Sequence, residues 1–179
     1  MKSVRVPKRA LILVVALFAL VNLLIPVLGV HAATDEPEVI VEVAINKHDE
    51  EFIAGIEFDD GTKVGDYNYV IRYIPTPRSY ALSRYFDYAA WITRDGVVSL
   101  SLDPNDTVRK SSSEKEIAWN CLASVENGFA GSSWWYNETC LKWQYDCHFS
   151  FAWFKDYWNL EPSRTASSYA EVVKAKCNP

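Results

Sequence analysis

The first 32 residues constrain the fold most, because we predict that they are cleaved off and form no part of the folded domain. The chain begins with a short basic stretch that has no acidic residue and contains Lys2, Arg5, Lys8 and Arg9. An apolar run follows over residues 10–30, and Ala32 would stand at the −1 position of a cleavage site. This order is typical of a secretory signal. We therefore predict a signal peptide over residues 1–32 and a mature protein that is secreted or associated with the cell wall.

An uncleaved membrane anchor is the competing interpretation of the same segment. The apolar run is about long enough to cross a bilayer. Pro26 within the run and Ala32 at its exit favour cleavage. The C-terminal residues that end at Pro179 are neither hydrophobic nor basic, so no stable membrane anchor is expected after cleavage.

Cleavage changes the charge of the chain. Of 18 Lys and Arg residues, four lie in the leader, so 14 remain against 23 Asp and Glu and the mature formal charge is −9. Nucleic-acid binding needs clustered cations that displace condensed counterions. Nucleic acid is therefore not expected as a partner of this acidic, aromatic-rich protein.

Four cysteines lie in the C-terminal third: Cys121, Cys140, Cys147 and Cys177. An even number in an exported chain indicates two disulfides. Zinc sites use closer pairs, and the two histidines of the mature chain are far apart in sequence, so no metal or cofactor is expected. Three pairings are possible. Sequential pairing is preferred, because a Cys147–Cys177 bridge would hold the chain terminus, which otherwise frays.

The first half of the mature chain has the pattern of β-strands. Residues 39–45 are rich in β-branched side chains, which predicts a strand, and residues 52–58 and 67–73 are also expected to be strands. Asp95-Gly96 separates two further strand-like runs and predicts a hairpin. In its second strand Val98, Leu100 and Leu102 should face the core, whereas Ser99 and Ser101 should face water.

Helical periodicity replaces this pattern in the second half. Ser113 and Glu116 resemble a capping box before a stripe of Ala118, Leu122 and Val125. Two further stripes predict helices: Cys147, Phe151, Phe154 and Trp158, then Tyr169, Val172, Val173 and Cys177. We therefore predict a flexible leader over residues 33–38 and one secreted α+β domain over residues 39–179. It has an N-terminal antiparallel sheet with β-hairpins, followed by a disulfide-linked helical C-terminal part.

The C-terminal half also resembles a known family. The resemblance rests on Cys147-His148, Lys155, Trp158-Asn159-Leu160-Glu161-Pro162 and Cys177-Asn178-Pro179. Residues 85–179 are similar to an uncharacterised exported actinobacterial family, domain of unknown function 2599. The resemblance implies that Cys147 and Cys177 pair and that Cys121 and Cys140 are additions. The chain departs from the family at Ser163-Arg164-Thr165, and the family implies no activity.

The candidate functional residues are His148, Lys155, Trp158, Asn159 and Glu161. His148 could act as a general acid or base with Glu161, because its pKa lies near neutral pH. A lone histidine more often makes a local hydrogen bond that holds structure. Asn159 and Glu161 could likewise cap a helix end or form a polar recognition site beside Trp158.

The run Trp134-Trp135-Tyr136 is predicted to be a loop and is a second candidate binding surface. Its aromatic rings could stack on a ligand or pack inward, and the sequence leaves both open. No motif identifies a reaction, so the function expected is a binding or interaction module for an unknown protein or envelope component. The alternative is a small extracellular hydrolase that uses His148 and Glu161. An antagonist of other cells cannot be separated from a binding module by sequence.

Overall fold

The computed structural model describes residues 3–6, 36–74 and 79–179. Apart from Ser3–Val6, the predicted signal peptide lies outside these residues, and so does the first half of the predicted flexible leader. No helix in the described ranges is long and apolar enough to span a membrane. The apolar run over residues 10–30 is not among the residues searched.

A single mixed sheet organises the fold. Its strands are β1 Ser3–Val6, β2 Val39–Asn46, β3 Tyr69–Tyr73, β4 Phe86–Arg94, β5 Val97–Pro104 and β6 Trp158–Leu160, in the order β1-β3-β2-β4-β5-β6. Five of the six, β2 to β6, belong to the predicted mature domain. The expectation of a mixed α and β architecture is confirmed. The sheet is not wholly antiparallel, because β2 and β3 are parallel and the connection between them contains a helix.

The β4–β5 hairpin forms as predicted. Asp95 and Gly96 both have positive φ, at 51° and 77°, which is the geometry that joins twisted antiparallel strands through two residues. Val98, Leu100 and Leu102 are buried. Ser99 and Ser101 are only 8% and 0% exposed, so the expectation that they face water was wrong. The second face of the sheet is covered by its own apolar layer.

That second layer contains helix α1, Glu50–Gly55, where a strand was expected. Asp49 caps the helix by accepting a hydrogen bond from the Phe52 N–H at 3.0 Å. Glu50 and Glu51 occupy the first turn, where carboxylates favour a helix N-terminus. Aromatic and β-branched residues suggested a strand here. Instead, the helix buries Ile53 and the residue after the helix, Ile56, against the sheet.

The opposite face of the sheet carries the larger core. Helices α2 Ser79–Ser83, α3 Asp106–Arg109, α4 Ser112–Leu122 and α5 Glu138–Phe151 surround it. Its aromatic centre links Trp119 to Tyr145 at 5.4 Å and Tyr145 to Trp158 at 5.5 Å between ring centroids. The N-cap of α4 is Ser111 rather than Ser113, and the helix ends before Val125, which is exposed.

The predicted helix through Trp158 ends earlier, at Phe151. Trp158 begins strand β6, where it lies opposite Leu102, and Leu160 lies opposite Leu100. The helical spacing of Phe151 and Phe154 was misleading, because both side chains are exposed. The C-terminal part is therefore not purely helical, since it returns to the sheet before the last helix, α6, Tyr169–Lys174.

A disulfide joins Cys147 on α5 to Cys177 near the chain end, as the sequence predicted. The structure does not contain the second expected bridge, because Cys121 and Cys140 are both unpaired. Cys140 packs beside the Cys147–Cys177 bridge, whereas Cys121 packs at the edge of the larger core. The even number of cysteines therefore overestimated the number of bridges.

Candidate functional site

Two clefts lie on either side of the loop formed by residues 153–156, between α5 and β6. The aromatic cleft has a volume of about 950 Å³, and its walls include His48, Phe52, Asp103, Arg109, Trp153 and Phe154. The histidine cleft has a volume of about 320 Å³, and its walls include Glu57, Asp59, His148, Tyr157 and Asn159. Phe154, Lys155 and Asp156 line both clefts, so the loop is a shared wall.

Arg109 at the end of α3 holds this loop in place. Its guanidinium donates to the carbonyls of Trp153, Lys155 and Asp156, the last two at 2.7 Å. It also donates to the Pro104 carbonyl and, at 3.0 Å, to Asp103 Oδ1. These five bonds match the five donors of a guanidinium. Arg109 therefore has a positioning role and no donor left for a ligand.

Asp103 also fixes His48. His48 Nε2 lies 2.9 Å from Asp103 Oδ2, and the imidazole stacks on Phe52 with ring centroids 3.9 Å apart. A carboxylate only accepts, so Nε2 carries a proton, and Nδ1 has no hydrogen-bond partner among the described residues. Sequence reasoning considered His48 only as a metal ligand. Fifty-five residues separate it from Asp103, and only the fold brings them together.

The outer wall of the aromatic cleft exposes two large rings. Trp153 is 57% exposed and Phe154 is 67% exposed, and the rings meet edge to face with centroids 6.1 Å apart. Neighbouring large apolar side chains on a surface mark a place where another molecule can bind.

His148 in the histidine cleft is almost completely buried, with 2% exposure. Its Nε2 lies 3.2 Å from the Asn159 carbonyl, and its ring stacks parallel to Trp158 with centroids 6.0 Å apart. The pKa of His148 is lowered to about 4, chiefly by burial and also by the nearby Lys155 cation, against the raising effect of the Asn159 carbonyl. His148 is therefore neutral near pH 7.

Asn178 lies next to the His148 ring, and a hydrogen bond between the two side chains raises the pKa of His148 against the larger effect of burial. Its Nδ2 donates to Asp59 Oδ2 at 2.8 Å. Within the described residues, neither His148 Nδ1 nor Asn178 Oδ1 has another hydrogen-bond partner, and both atoms are inaccessible to solvent. Because buried polar atoms are normally paired, this contact fits a structural role for Asn178.

Residues 86–179 match the family described as "Protein of unknown function (DUF2599)". The match covers more than half of the chain. The chain belongs to this family. No curated protein and no solved structure matches it. The DUF2599 segment supplies Asp103, Arg109, His148 and Asn178, whereas His48 and Asp59 precede it.

The DUF2599 motif residues do not all reach the clefts. Trp158 is fully buried in the core. Glu161 is 8% exposed, its carboxylate pairs with Arg164, and its backbone N–H donates to Gln144 Oε1 at 2.8 Å. No hydrogen bond joins Glu161 to His148 within the part of the chain that the structure describes. Lys155 is exposed on the shared loop, and Asn159 lines the histidine cleft.

The Trp134-Trp135-Tyr136 loop of the DUF2599 segment lies outside both clefts. Trp135 packs on Trp119 with centroids 5.5 Å apart and donates from Nε1 to Glu138 at 3.1 Å. Trp134 and Tyr136 are 38% and 49% exposed. Both interpretations of this loop therefore apply in part, since Trp135 packs inward whereas Trp134 and Tyr136 face outward. Among the described residues, no group of three or more His, Cys, Asp or Glu side chains could hold a metal ion.

Proposed function

We propose that this DUF2599 protein is an exported binding module whose aromatic cleft binds a glycan of the cell envelope. The observation that carries the proposal is the pair of exposed rings, Trp153 and Phe154, on the wall of a cleft of about 950 Å³. The signal-like N-terminus and the Cys147–Cys177 bridge support an extracellular location.

The polar rim of the cleft suits a hydroxyl-rich ligand. Asp87 pairs with Lys47 and Asp106 pairs with Lys110, both at 2.6 Å and at solvent-exposed positions. Exposed ion pairs contribute about 0–1 kcal/mol, so these side chains can exchange their partners for ligand hydroxyls at little cost. A sugar ring provides both an apolar face for Trp153 and hydroxyls for the rim.

Arg109 supports binding by fixing the loop before a ligand arrives. Ordering a loop on binding reduces affinity, and a wall already held by five hydrogen bonds avoids that cost. The cleft is therefore suited to bind without rearrangement.

The test uses protein purified from the medium of an expressing culture, with intact mass reporting leader removal and disulfide formation. Solubilised cell-wall glycan strands are titrated calorimetrically. We expect Trp153→Ala to weaken binding roughly tenfold or more, as loss of an aromatic anchor does. Trp134→Ala is the matched control, because Trp134 is exposed but lies outside both clefts. Equal effects of the two substitutions, or no binding by the wild type, would reject the proposal.

A hydrolase is a second candidate, favoured by the His48–Asp103 pair rather than by His148 and Glu161. Asp103 orients the ring so that Nδ1 can act as a general base. Among the described residues that line the aromatic cleft there is no Ser, Thr or Cys, so the nucleophile would be water. Product release from the same glycan strands by wild type and His48→Gln tests this. Equal rates for the two proteins would eliminate it.

A further inference from the structure

A third cavity, of about 200 Å³, is lined by two arginines, Arg94 and Arg164, and is called the arginine cavity here. It lies beside the second apolar layer, to which its lining residue Ile92 belongs. Within the described residues, it has no lining residue in common with the aromatic cleft. Pockets for drug-sized ligands measure about 300–1,000 Å³, so this cavity suits a smaller molecule.

Both guanidiniums have donors that the protein does not use. Arg94 donates from Nη1 alone, to three side-chain oxygens at distances between 2.8 and 3.2 Å. Arg164 donates from Nε alone, to Glu161 Oε2. A guanidinium has five N–H donors on its three nitrogens. Within the described residues, Nε and Nη2 of Arg94 and both Nη atoms of Arg164 therefore have no acceptor.

Arg94 is held in one orientation by its surroundings. The three acceptors of Nη1 belong to Asp60, Thr62 and Tyr67. The guanidinium carbon also lies 4.0 Å from the centroid of the Phe58 ring. A planar guanidinium that is already oriented loses little freedom on binding, and its two parallel N–H groups match the two oxygens of a carboxylate.

Two carboxylates that line the cavity have oxygens without a partner. Asp59 accepts from Asn178 at Oδ2, and Glu161 accepts from Arg164 at Oε2. Among the described residues, Asp59 Oδ1 and Glu161 Oε1 accept no hydrogen bond. Asp59 and Arg164 are exposed residues, and the unused atoms of Arg94 and Glu161 are not among the unpaired atoms that are inaccessible to solvent. A ligand can therefore reach both the unused donors and the unused acceptors.

The charges that line the cavity select among small ligands. Two cations, Arg94 and Arg164, stand against three carboxylates, Asp59, Asp60 and Glu161, so the formal charge is 2 minus 3, or −1. This balance disfavours a divalent anion, whereas the two arginines disfavour a simple cation. A molecule with one carboxylate and one ammonium satisfies both the donors and the acceptors.

We propose that the arginine cavity binds an α-amino acid group, with its carboxylate on the two arginines and its ammonium on Asp59 and Glu161. The apolar side chains that line the cavity are available to a short aliphatic side chain, and they are Phe58, Ile92 and Val97. The site is separate from the aromatic cleft, so it goes beyond the proposed glycan binding and does not rest on it.

The test titrates the oxidised protein calorimetrically with norvaline, N-acetylnorvaline, norvaline amide and sodium sulfate. The side-chain ¹H–¹⁵N resonances of Arg94 and Arg164 report whether the ligand contacts these groups. We expect norvaline to bind and to shift both sets of resonances. N-acetylnorvaline has no ammonium and norvaline amide has no carboxylate, so each should bind roughly tenfold more weakly or worse. Sulfate should bind more weakly than norvaline, because of the three carboxylates.

Two sources share this ligand chemistry. One is a free amino acid, and the other is a diamino diacid that keeps both α groups at its far end when its near end belongs to an envelope peptide. A tripeptide that ends in meso-diaminopimelate separates them. Binding tighter than that of norvaline identifies the peptide as the source, and equal or weaker binding identifies the free amino acid.

Matched substitutions at exposed positions make the result specific. Arg164→Gln should weaken norvaline binding roughly tenfold. Arg72→Gln is its control, because Arg72 also pairs with a carboxylate and its side chain is 42% exposed, compared with 43% for Arg164, but it lies outside the cavity. Val97→Asp places a further negative charge on the wall and should also weaken binding. Ile117→Asp is the control for it, because Val97 and Ile117 are 47% and 46% exposed.

Four results would overturn the proposal: no binding of norvaline, equal binding of norvaline and its amide or N-acetyl derivative, unchanged arginine resonances, or equal effects of Arg164→Gln and Arg72→Gln. Sulfate binding as tight as that of norvaline would identify an unspecific anion site and would also reject it. Trp153→Ala should leave norvaline binding unchanged, so this proposal and the proposed glycan binding can fail independently.

Discussion

Lowering the pH from 7 to 4 is expected to destabilise the protein through His148. The ring is 2% exposed, and its pKa in the folded protein is about 4, compared with 6.5 for an ordinary histidine. Between these two values the unfolded chain binds a proton that the folded chain excludes. Stability therefore falls as the pH falls through this interval and levels off, for this residue, below about pH 4.

The size of the effect follows from the two pKa values. Each pKa unit corresponds to about 1.4 kcal/mol, so the interval from 6.5 to about 4 amounts to about 3 kcal/mol of unfolding free energy. Folded domains have about 5–15 kcal/mol in total, so a loss of this size is readily measured.

Urea denaturation followed by tryptophan fluorescence at pH 7, 5.5 and 4 measures this change with the disulfide intact. His148→Gln keeps a donor for the Asn159 carbonyl but has no proton to gain, so it serves as the reference. Carboxylates titrate in both proteins, and their contribution cancels in the difference. His48→Gln is the matched control at the more exposed histidine. Identical pH dependence in the wild type and His148→Gln would refute the reasoning.

Three further predictions concern single side chains. Arg109→Ala should cost about 1–3 kcal/mol and speed amide hydrogen exchange in residues 153–156, because five acceptors, two of them part-buried, lose their donor. Unchanged exchange would contradict the role given to Arg109. Cys177→Ser should lower the free energy of unfolding by about 2–5 kcal/mol, measured under oxidising conditions. A loss under about 1 kcal/mol would show that the bridge contributes little to stability. Ser101→Ala should be neutral or slightly stabilising in the same assay, because its buried hydroxyl has no partner among the described residues; a loss above 1 kcal/mol would indicate an unseen partner.

The parts of the fold that the sequence predicted well depend on local chemistry. Asp95 and Gly96 can both adopt positive φ, and that property alone specifies the hairpin. The strand β2 and the short α6 also follow from composition and spacing within one segment. The Cys147–Cys177 pairing came from the reach of a terminal bridge and from the family resemblance.

The parts that were missed depend on distant partners. Trp158 is a strand residue because Leu102 lies opposite it, 56 positions earlier in the chain. Ser101 is buried because a second apolar layer covers that face of the sheet, which an alternating pattern cannot reveal. For α1, the cap at Asp49 outweighed the strand preference of the residues that follow it.

The residues of the candidate site were likewise predicted only in part. His148, Lys155 and Asn159 were predicted from the motif, and the structure places all three on the histidine cleft. Asp59 lines the same cleft but was not predicted, because it is far away in sequence and has no distinctive local pattern. Asn178 was considered only as part of the Cys177-Asn178-Pro179 motif and not as a neighbour of His148. The His48–Asp103 pair was missed for the same reason.

The covalent link near the chain terminus has a role beyond stability. Each bridged cysteine is followed at once by one of two neighbouring polar side chains, His148 after Cys147 and Asn178 after Cys177. With the Cα atoms of the cysteines 5.3 Å apart, the sulfur bond sets the spacing of the neighbouring imidazole and amide. A reductant that opened this bond would let the tail swing away and separate the two groups. The contact between Asn178 and the His148 ring would then persist only in an oxidising environment.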